Sequence, residues 1–266
     1  MKLFDTHTHL NVRNFLGREE EVIAEAAQAG VEYMAVVGFD QETIAKSLEL
    51  SRTYPNIISV IGWHPTEAKH YNQAIEDQLH QWLEQPKVHM LGEIGLDYYW
   101  DDSPIDVQKK VFARLIAIAK EHQLPITIHN REATEDVYKI LQAEKIPEAG
   151  GIMHSFGEGP EWAQRFLDLG MHISYSGVAT FKKTDDVRES ARLTPIDRLL
   201  IETDAPYLAP VPKRGKENQP AYVRYVAECL ANVKKISLEE FAEQTCQNAF
   251  NLFNWWPEEE ANHEDA

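Results

Sequence analysis

Four histidines and two carboxylates stand at the ends of short apolar runs, a placement that suits metal-assisted chemistry. His7 and His9 close the run that begins Leu3-Phe4-Asp5-Thr6; Glu93, His129, His154 and Asp204 close later ones. Residues two apart on an extended strand face one side, so Asp5, His7 and His9 are expected to point together, as are Glu202 and Asp204. Such a cluster is costly in a protein interior unless something offsets it, because buried charges need partners or metals. Two divalent ions satisfy it. His7, His9 and Asp204 hold one, His129 and His154 the other, and Glu93 bridges them through its two oxygens. Imidazole with carboxylate suits Zn, Mn, Co or Fe, and carboxylate-rich sites also take Mg. Two ions about 3.5–4 Å apart stabilise both the attacking and the leaving oxygen of a displacement. His64, in Gly62-Trp63-His64-Pro65, is read either as a group that touches substrate or a metal ligand, or as a structural residue.

Something must bring these positions to one place. Eight apolar runs, at residues 3–6, 33–37, 58–62, 90–94, 126–129, 151–154, 172–175 and 199–203, alternate with helix-like segments. Those segments are 19–29, 41–53, 74–84, 105–122, 134–143, 160–169 and 184–193, with two more near 221–233 and 238–252. Alternation of this kind predicts an α/β protein with a parallel sheet, and eight strands predict a single-domain (β/α)8 barrel of the TIM type. An open doubly wound sheet is the alternative, but it does not ordinarily spread polar residues over the ends of so many strands. In a barrel the C-terminal strand ends converge on the face that carries active sites. The barrel is assigned to residues 1–254 and an acidic, mobile tail to 255–266.

The chain has 266 residues and a formal net charge of −17. A protein that grips long duplex nucleic acid non-specifically neutralises phosphates with a basic surface, so this one must engage any polyanion locally. No apolar stretch is long enough for a membrane span. Cys229 and Cys246 both fall in helix-like segments, which argues against a disulfide framework. With no secretory signal in MKLFDTHTHL, a cytoplasmic location is expected. No obligate protein partner is indicated.

Asp5-Thr6-His7-Thr8-His9-Leu10 resembles the opening of the TatD family of metal-dependent deoxyribonucleases, within the amidohydrolase-like barrels. Gly92-Glu93-Ile94-Gly95-Leu96-Asp97-Tyr98 and Ile128-His129-Asn130-Arg131-Glu132-Ala133 are similar to its central signatures. Glu202-Thr203-Asp204-Ala205-Pro206-Tyr207-Leu208 and Arg214-Gly215-Lys216-Glu217-Asn218 complete the pattern, from about Lys2 to Phe253. The resemblance implies a TIM-type barrel, two divalent metals and hydrolysis of phosphodiester or related ester bonds. It places the metal ligands at His7, His9, Glu93, His129, His154 and Asp204. The chain departs from the pattern at Ser155-Phe156-Gly157-Glu158, where the family commonly has Cys-Phe-Ser-Gly, and at Asn130, where Ser is frequent. Both lie beside the site and bear on substrate preference.

The mechanism that follows is attack of a metal-activated hydroxide on phosphorus, with Glu93 and Asp204 as the catalytic carboxylates and Asp204 accepting the proton. Arg131 lies two positions after His129, and its planar fork suits a phosphate; a structural salt bridge to Glu132, Glu135 or Asp97 is the other reading. Lys213-Arg214-Gly215-Lys216 follows the eighth strand, so Arg214 and Lys216 are expected to reach substrate. Tyr98, Tyr99 and Trp100 serve either to stack on a base or to pack the rim. Asp5 and Glu202 are expected beneath the ligands, orienting the histidines. The substrate is read as DNA ends, single strands or short nucleotides. An amidase, lactonase or deacylase on the same metals is the alternative, and a non-catalytic scaffold a third reading.

Overall fold

Eight parallel strands pair in chain order, and the computed structural model describes residues 1–100 and 102–257 of the chain. The strands are β1 (Leu3–Thr8), β2 (Val31–Gly38), β3 (Ile57–Ile61), β4 (Val88–Asp97), β5 (Ile126–Arg131), β6 (Gly151–Met153), β7 (His172–Tyr175) and β8 (Leu199–Ile201). Between them run α1 (Glu19–Gln28), α2 (Gln41–Thr53), α3 (Gln73–Leu83), α4 (Ile105–Glu121), α5 (Thr134–Glu144), α6 (Pro160–Asp168) and α7 (Asp185–Leu193); α8 (Val223–Lys234) and α9 (Leu238–Phe253) follow β8. The strands are almost wholly buried because a parallel barrel covers both of their faces, which is why they read as continuous apolar runs.

Two apolar layers result. Phe4, Val37, Val60, Met90, Ile152 and Leu200 fill the barrel, while Met34, Ile57, Ile94 and Ile128 pack outward against the helices. The lower end of the barrel is closed by α9: Phe253 stacks on Phe4 at 5.4 Å, and Trp255 meets Phe4 at 5.9 Å. Trp255 is therefore core, although the sequence assigned it to the tail. The rest of the expected acidic tail, residues 258–266, lies outside the described residues. Cys229 in α8 and Cys246 in α9 are free thiols. Among the described residues no helix is long and apolar enough to cross a membrane.

The barrel seam closes at its upper end, where the chemistry is. Thr6 Oγ1 donates to Ile201 O at 2.9 Å, Asp204 N to His7 O at 2.9 Å, and His9 N to Ala205 O at 2.8 Å. The seam thus locks the backbones of His7, His9 and Asp204 to one another. β4 runs to Asp97, three residues past the expected strand end, because Gly95, Leu96 and Asp97 stay in register with His129, Asn130 and Arg131 of β5. Gly95 makes that approach feasible. Its φ is +148°, and a Cβ there would lie 2.0 Å from His129 O.

Candidate metal centre

The two oxygens of Glu93 face different groups of imidazoles. Glu93 Oε2 lies 3.4 Å from His7 Nε2 and 3.9 Å from His9 Nε2. Asp204 Oδ1 lies 3.3 Å from His9 Nε2 and 4.0 Å from His7 Nε2, and the two imidazole nitrogens are 3.3 Å apart. Donor atoms about 2.0–2.2 Å from a tetrahedral ion stand about 3.3–3.6 Å from each other, so this set fits one cation with little movement. At the other pole, Glu93 Oε1 lies 2.6 Å from His129 Nδ1, 3.4 Å from His154 Nε2 and 3.8 Å from His64 Nε2. His64, Glu93 and His129 meet the geometric requirements of a metal triad, as do His7, His9 and Asp204. All six residues singled out in the sequence converge here, and His64 joins them by pointing at Glu93 Oε1.

Three of the imidazoles have a backing group, whereas His7 Nδ1 is buried without a hydrogen-bond partner among the described residues. His154 Nδ1 stands 2.6 Å from Glu202 Oε1, and that same oxygen accepts from Ser155 N at 2.8 Å. His9 Nδ1 lies 3.2 Å from Val37 O. His129 Nε2 lies 2.9 Å from Asp97 Oδ2, while Asp97 Oδ1 accepts from Tyr99 N and Trp100 N, each at 2.9 Å. Partners of this kind fix ring orientation and raise ligand basicity. Glu202 is placed as the sequence reading expects, but Asp5 is not. The pairing of β1 with β2 shifts register between Asp5 and Thr8, which breaks the simple alternation of sides. The Asp5 carboxylate instead accepts from Thr203 N at 2.8 Å and Thr203 Oγ1 at 2.5 Å, bracing the residue before Asp204. Asp204 itself has φ of +56°, a left-handed conformation that Asp adopts more readily than most residues. Asp97 in its role beside His129 escaped sequence reasoning, because the Gly95 break made the strand seem to end before it.

Burial works against charge in this pocket, and the neighbours overturn it. For Glu93 burial favours the neutral form, yet His154 and His129 hold the carboxylate well below its ordinary range. Burial disfavours charge on His129, but Glu93 and Asp97 push it up to about 9. His154 is likewise raised to about 10, against burial, by Glu202 and Glu93. His64 goes the other way, to about 3, through burial and the adjacent His129. Asp204 is held low, against burial, by His9 and His154. The side chains therefore form a cluster of buried anions that demands positive charge, supplied by protons or by cations.

The cluster floors a cavity of about 790 Å³ whose wall includes Phe39, His64, Trp100, Arg131, Tyr207 and Leu208. Arg131 lies on this wall, but none of its expected carboxylate partners pairs with it. Its guanidinium stacks 4.0 Å over the Tyr99 ring, with the Trp100 ring 6.0 Å away. Tyr99 and Trp100 are each about half exposed, at 51% and 52%. Tyr98 serves packing instead, with its hydroxyl 2.7 Å from Asp136 Oδ2. Arg214 and Lys216 do not line the cavity. The Arg214 guanidinium covers the Phe181 ring at 3.9 Å and donates to Ala209 O, because the proline-stiffened loop leads away from the histidine cluster. Asn218 returns that loop to the site, donating from Nδ2 to Thr203 O at 2.9 Å and Tyr207 O at 2.6 Å. Glu158 turns aside to accept from Thr134 Oγ1, which in turn accepts from Asn130 Nδ2.

Known proteins resemble the whole of this assembly. Residues 4–254 match the family described as TatD related DNase. The uncharacterized metal-dependent hydrolase YabD of Bacillus subtilis is 46% identical over 251 residues, covering 94% of this chain and 98% of its own. YcfH of Escherichia coli K12, also described as an uncharacterized metal-dependent hydrolase, is 39% identical, with 96% of each chain covered. The crystal structure of the TatD homologue YjjV from Escherichia coli K12 superposes with a TM-score of 0.90 at 30% identity, covering 96% of this chain and 98% of that one.

Proposed function

The chain belongs to the TatD family of metal-dependent hydrolases, and from that premise we propose that it is a deoxyribonuclease cleaving phosphodiester bonds in DNA ends, single strands or short nucleotides. The observation that carries this reading is the two-faced Glu93, whose oxygens each gather a separate set of imidazoles. One pole would hold a divalent ion through His7, His9, Glu93 and Asp204, the other through Glu93, His129 and His154. A buried donor set of nitrogen and carboxylate oxygen fits Zn or Mn, and Mg is compatible with the carboxylates. When bound, such ions lower the pKa of a coordinated water from 15.7 toward about 7 and offset charge on phosphoryl oxygens.

The protein's own groups do the rest. Asp204, ionised at neutral pH, orients the attacking water and accepts its proton. Glu93 fixes the spacing of the two poles. Arg131, flat on Tyr99 and without a carboxylate partner among the described residues, presents two-pronged donors to a phosphate at the rim, which favours a phosphodiester over a neutral ester. His64 stays neutral and offers a nitrogen toward the second pole. Trp100 and Tyr207 give the mouth exposed aromatic faces on which a base can stack without sequence preference.

The test combines metal analysis of purified protein with a substrate panel of single-stranded DNA, RNA, dinucleotides and a neutral lactone, each with and without chelator. Metal-dependent cleavage of DNA, lowered about 10²–10⁴-fold by Asp204→Asn, is the expected result. Chelator-insensitive activity, or turnover of the lactone alone, refutes the reading.

A further inference from the structure

Two loops meet above β7 and β8 and gather five basic side chains, none of them in an ion pair among the described residues. Lys182 and Lys183 follow β7; Lys213, Arg214 and Lys216 follow β8. The loops are joined by Val211 N donating to Thr180 Oγ1 at 2.8 Å and by Arg214 lying over Phe181. At Gly177 they are so close that a Cβ would lie 1.9 Å from Leu208 O. Lys182, Lys183, Arg214 and Lys216 are exposed, while Lys213 is half-buried with Nζ 5.2 Å from the Tyr222 ring centroid.

This concentration runs against the composition of the chain, which has 43 acidic and 26 basic residues. Neither 177–184 nor 205–216 contains an Asp or Glu. Of the flanking acids, Asp185 is held by Arg188 at 2.5 Å, and Glu217 by Arg18 at 3.4 Å and Asn14 at 2.8 Å. Asp186, at the edge, makes no ion pair among the described residues. The patch also continues the wall of the metal cavity, since Tyr207 and Leu208 line that cavity and the loop leaves directly from them.

We propose that the patch is a track for the phosphate backbone of a single-stranded oligonucleotide whose reacting end lies in the metal cavity. The strand leaves over Tyr207 and Leu208 and lays its distal phosphates on Lys182, Lys183, Lys213, Arg214 and Lys216. This rests on the nuclease reading above and adds to it a second contact area for long substrates. Charge range explains how a protein of net charge −17 manages this. At physiological salt the Debye length is about 8 Å, so the patch acts on phosphates laid against it while the distant acidic surface is largely screened. A flexible single strand can follow two small loops; a stiff duplex would bring phosphates against acidic surface as well. A dinucleotide is held at the cavity and cannot lie along the track.

The test measures KM and kcat on two substrates, a dinucleotide and an oligothymidylate of about twenty nucleotides, with Mn²⁺ over a range of KCl. The double variant Lys182→Gln/Lys183→Gln is compared with the parent chain, and Lys182→Glu/Lys183→Glu serves as the stronger perturbation. Both positions are exposed, and thermal melting verifies that the variants fold. Losing two phosphate contacts should lower the slope of log(1/KM) against log salt by about 1.4 in magnitude on the long substrate. KM there should rise roughly three- to tenfold at low salt, with kcat and all dinucleotide parameters unchanged. The track is refuted if the parent chain shows equal KM for both lengths, if the variants keep the parent's salt slope, or if both substrates suffer equally. If the parent chain cleaves neither substrate, the nuclease reading fails first and the track falls with it.

Discussion

Asp97 lies 2.9 Å from the Nε2 of His129, on the edge of the ring away from the Nδ1 that faces Glu93. One imidazole is therefore gripped between the Glu93 carboxylate and a bracing one. The brace also accepts the backbone N–H groups of Tyr99 and Trp100, so ring orientation and rim position share a single anchor.

Asp97→Asn keeps the size of this anchor and removes its charge. Loss of a carboxylate behind a metal-binding histidine lowers metal affinity about 10–100-fold. The expected outcome is weakening by that factor of one of two binding phases in a competition titration with a chromophoric chelator. Two unchanged phases would show that His129 needs no such support.

The same site makes stability depend on pH in chelated protein. His129 and His154 are raised above the ordinary histidine value of 6.5, to about 9 and about 10. A group raised by folding adds stability that is complete below the unfolded pKa and is lost as pH climbs through the folded one. The melting temperature of chelated protein should therefore fall between pH 6.5 and about 10. Metal binding needs the neutral imidazoles, so it displaces protons, and apparent affinity should rise by up to about tenfold per pH unit for each proton released. Titration at neutral pH in two buffers of different ionisation enthalpy counts those protons; a count of zero contradicts the account.

Arg131→Ala should separate phosphodiesters from neutral substrates. A hydrogen bond to a charged group contributes about 1.5–3 kcal/mol, or roughly 10–100-fold in kcat/KM. The loss should appear with a dinucleotide and be absent with a neutral ester of similar size. Arg131→Lys should recover only part of it, since an ammonium neither stacks on Tyr99 as a plane nor forks toward two oxygens. Equal losses on both substrates would point to disturbance of the rim.

Gly95→Ala tests the backbone that carries the centre. The added methyl would meet His129 O, and the φ of +148° is itself unfavourable for any residue with a Cβ. A cost of about 2–4 kcal/mol is expected, read as a lower denaturation midpoint in the presence of chelator. A midpoint equal to that of the parent chain would mean that β4 and β5 can separate locally without penalty.

The barrel and the convergence of the six residues were legible because each depends on a local rule. Strands buried on both faces leave largely apolar runs, and a candidate ligand is the ionisable residue that closes such a run, as at His129 and His154. What escaped depends on register across strands. Asp97 was hidden because Gly95 interrupts the apolar pattern while β4 and β5 keep pairing through it. Asp5 was given to the histidines because period-two alternation cannot foresee the shift between Asp5 and Thr8. Arg214 and Lys216 stand outside the metal cavity, because chain proximity to Asp204 does not fix where a proline-rich loop leads. Trp255 looked like the start of a polar tail, yet its ring fills a gap that only the packed α9 creates.

Asn218 anchors both ends of the basic loop. Its buried amide ties the chain at Thr203 and Tyr207 to the returning segment, so the two stems of the excursion are clasped beside the candidate ligands. Lengthening a clasped excursion adds little closure entropy, about 0.6 kcal/mol for each doubling. The tip between Pro212 and Glu217 is thus the exchangeable part of the excursion: a different sequence there would change what the loop presents to solvent while the clasp at Asn218 stays in place.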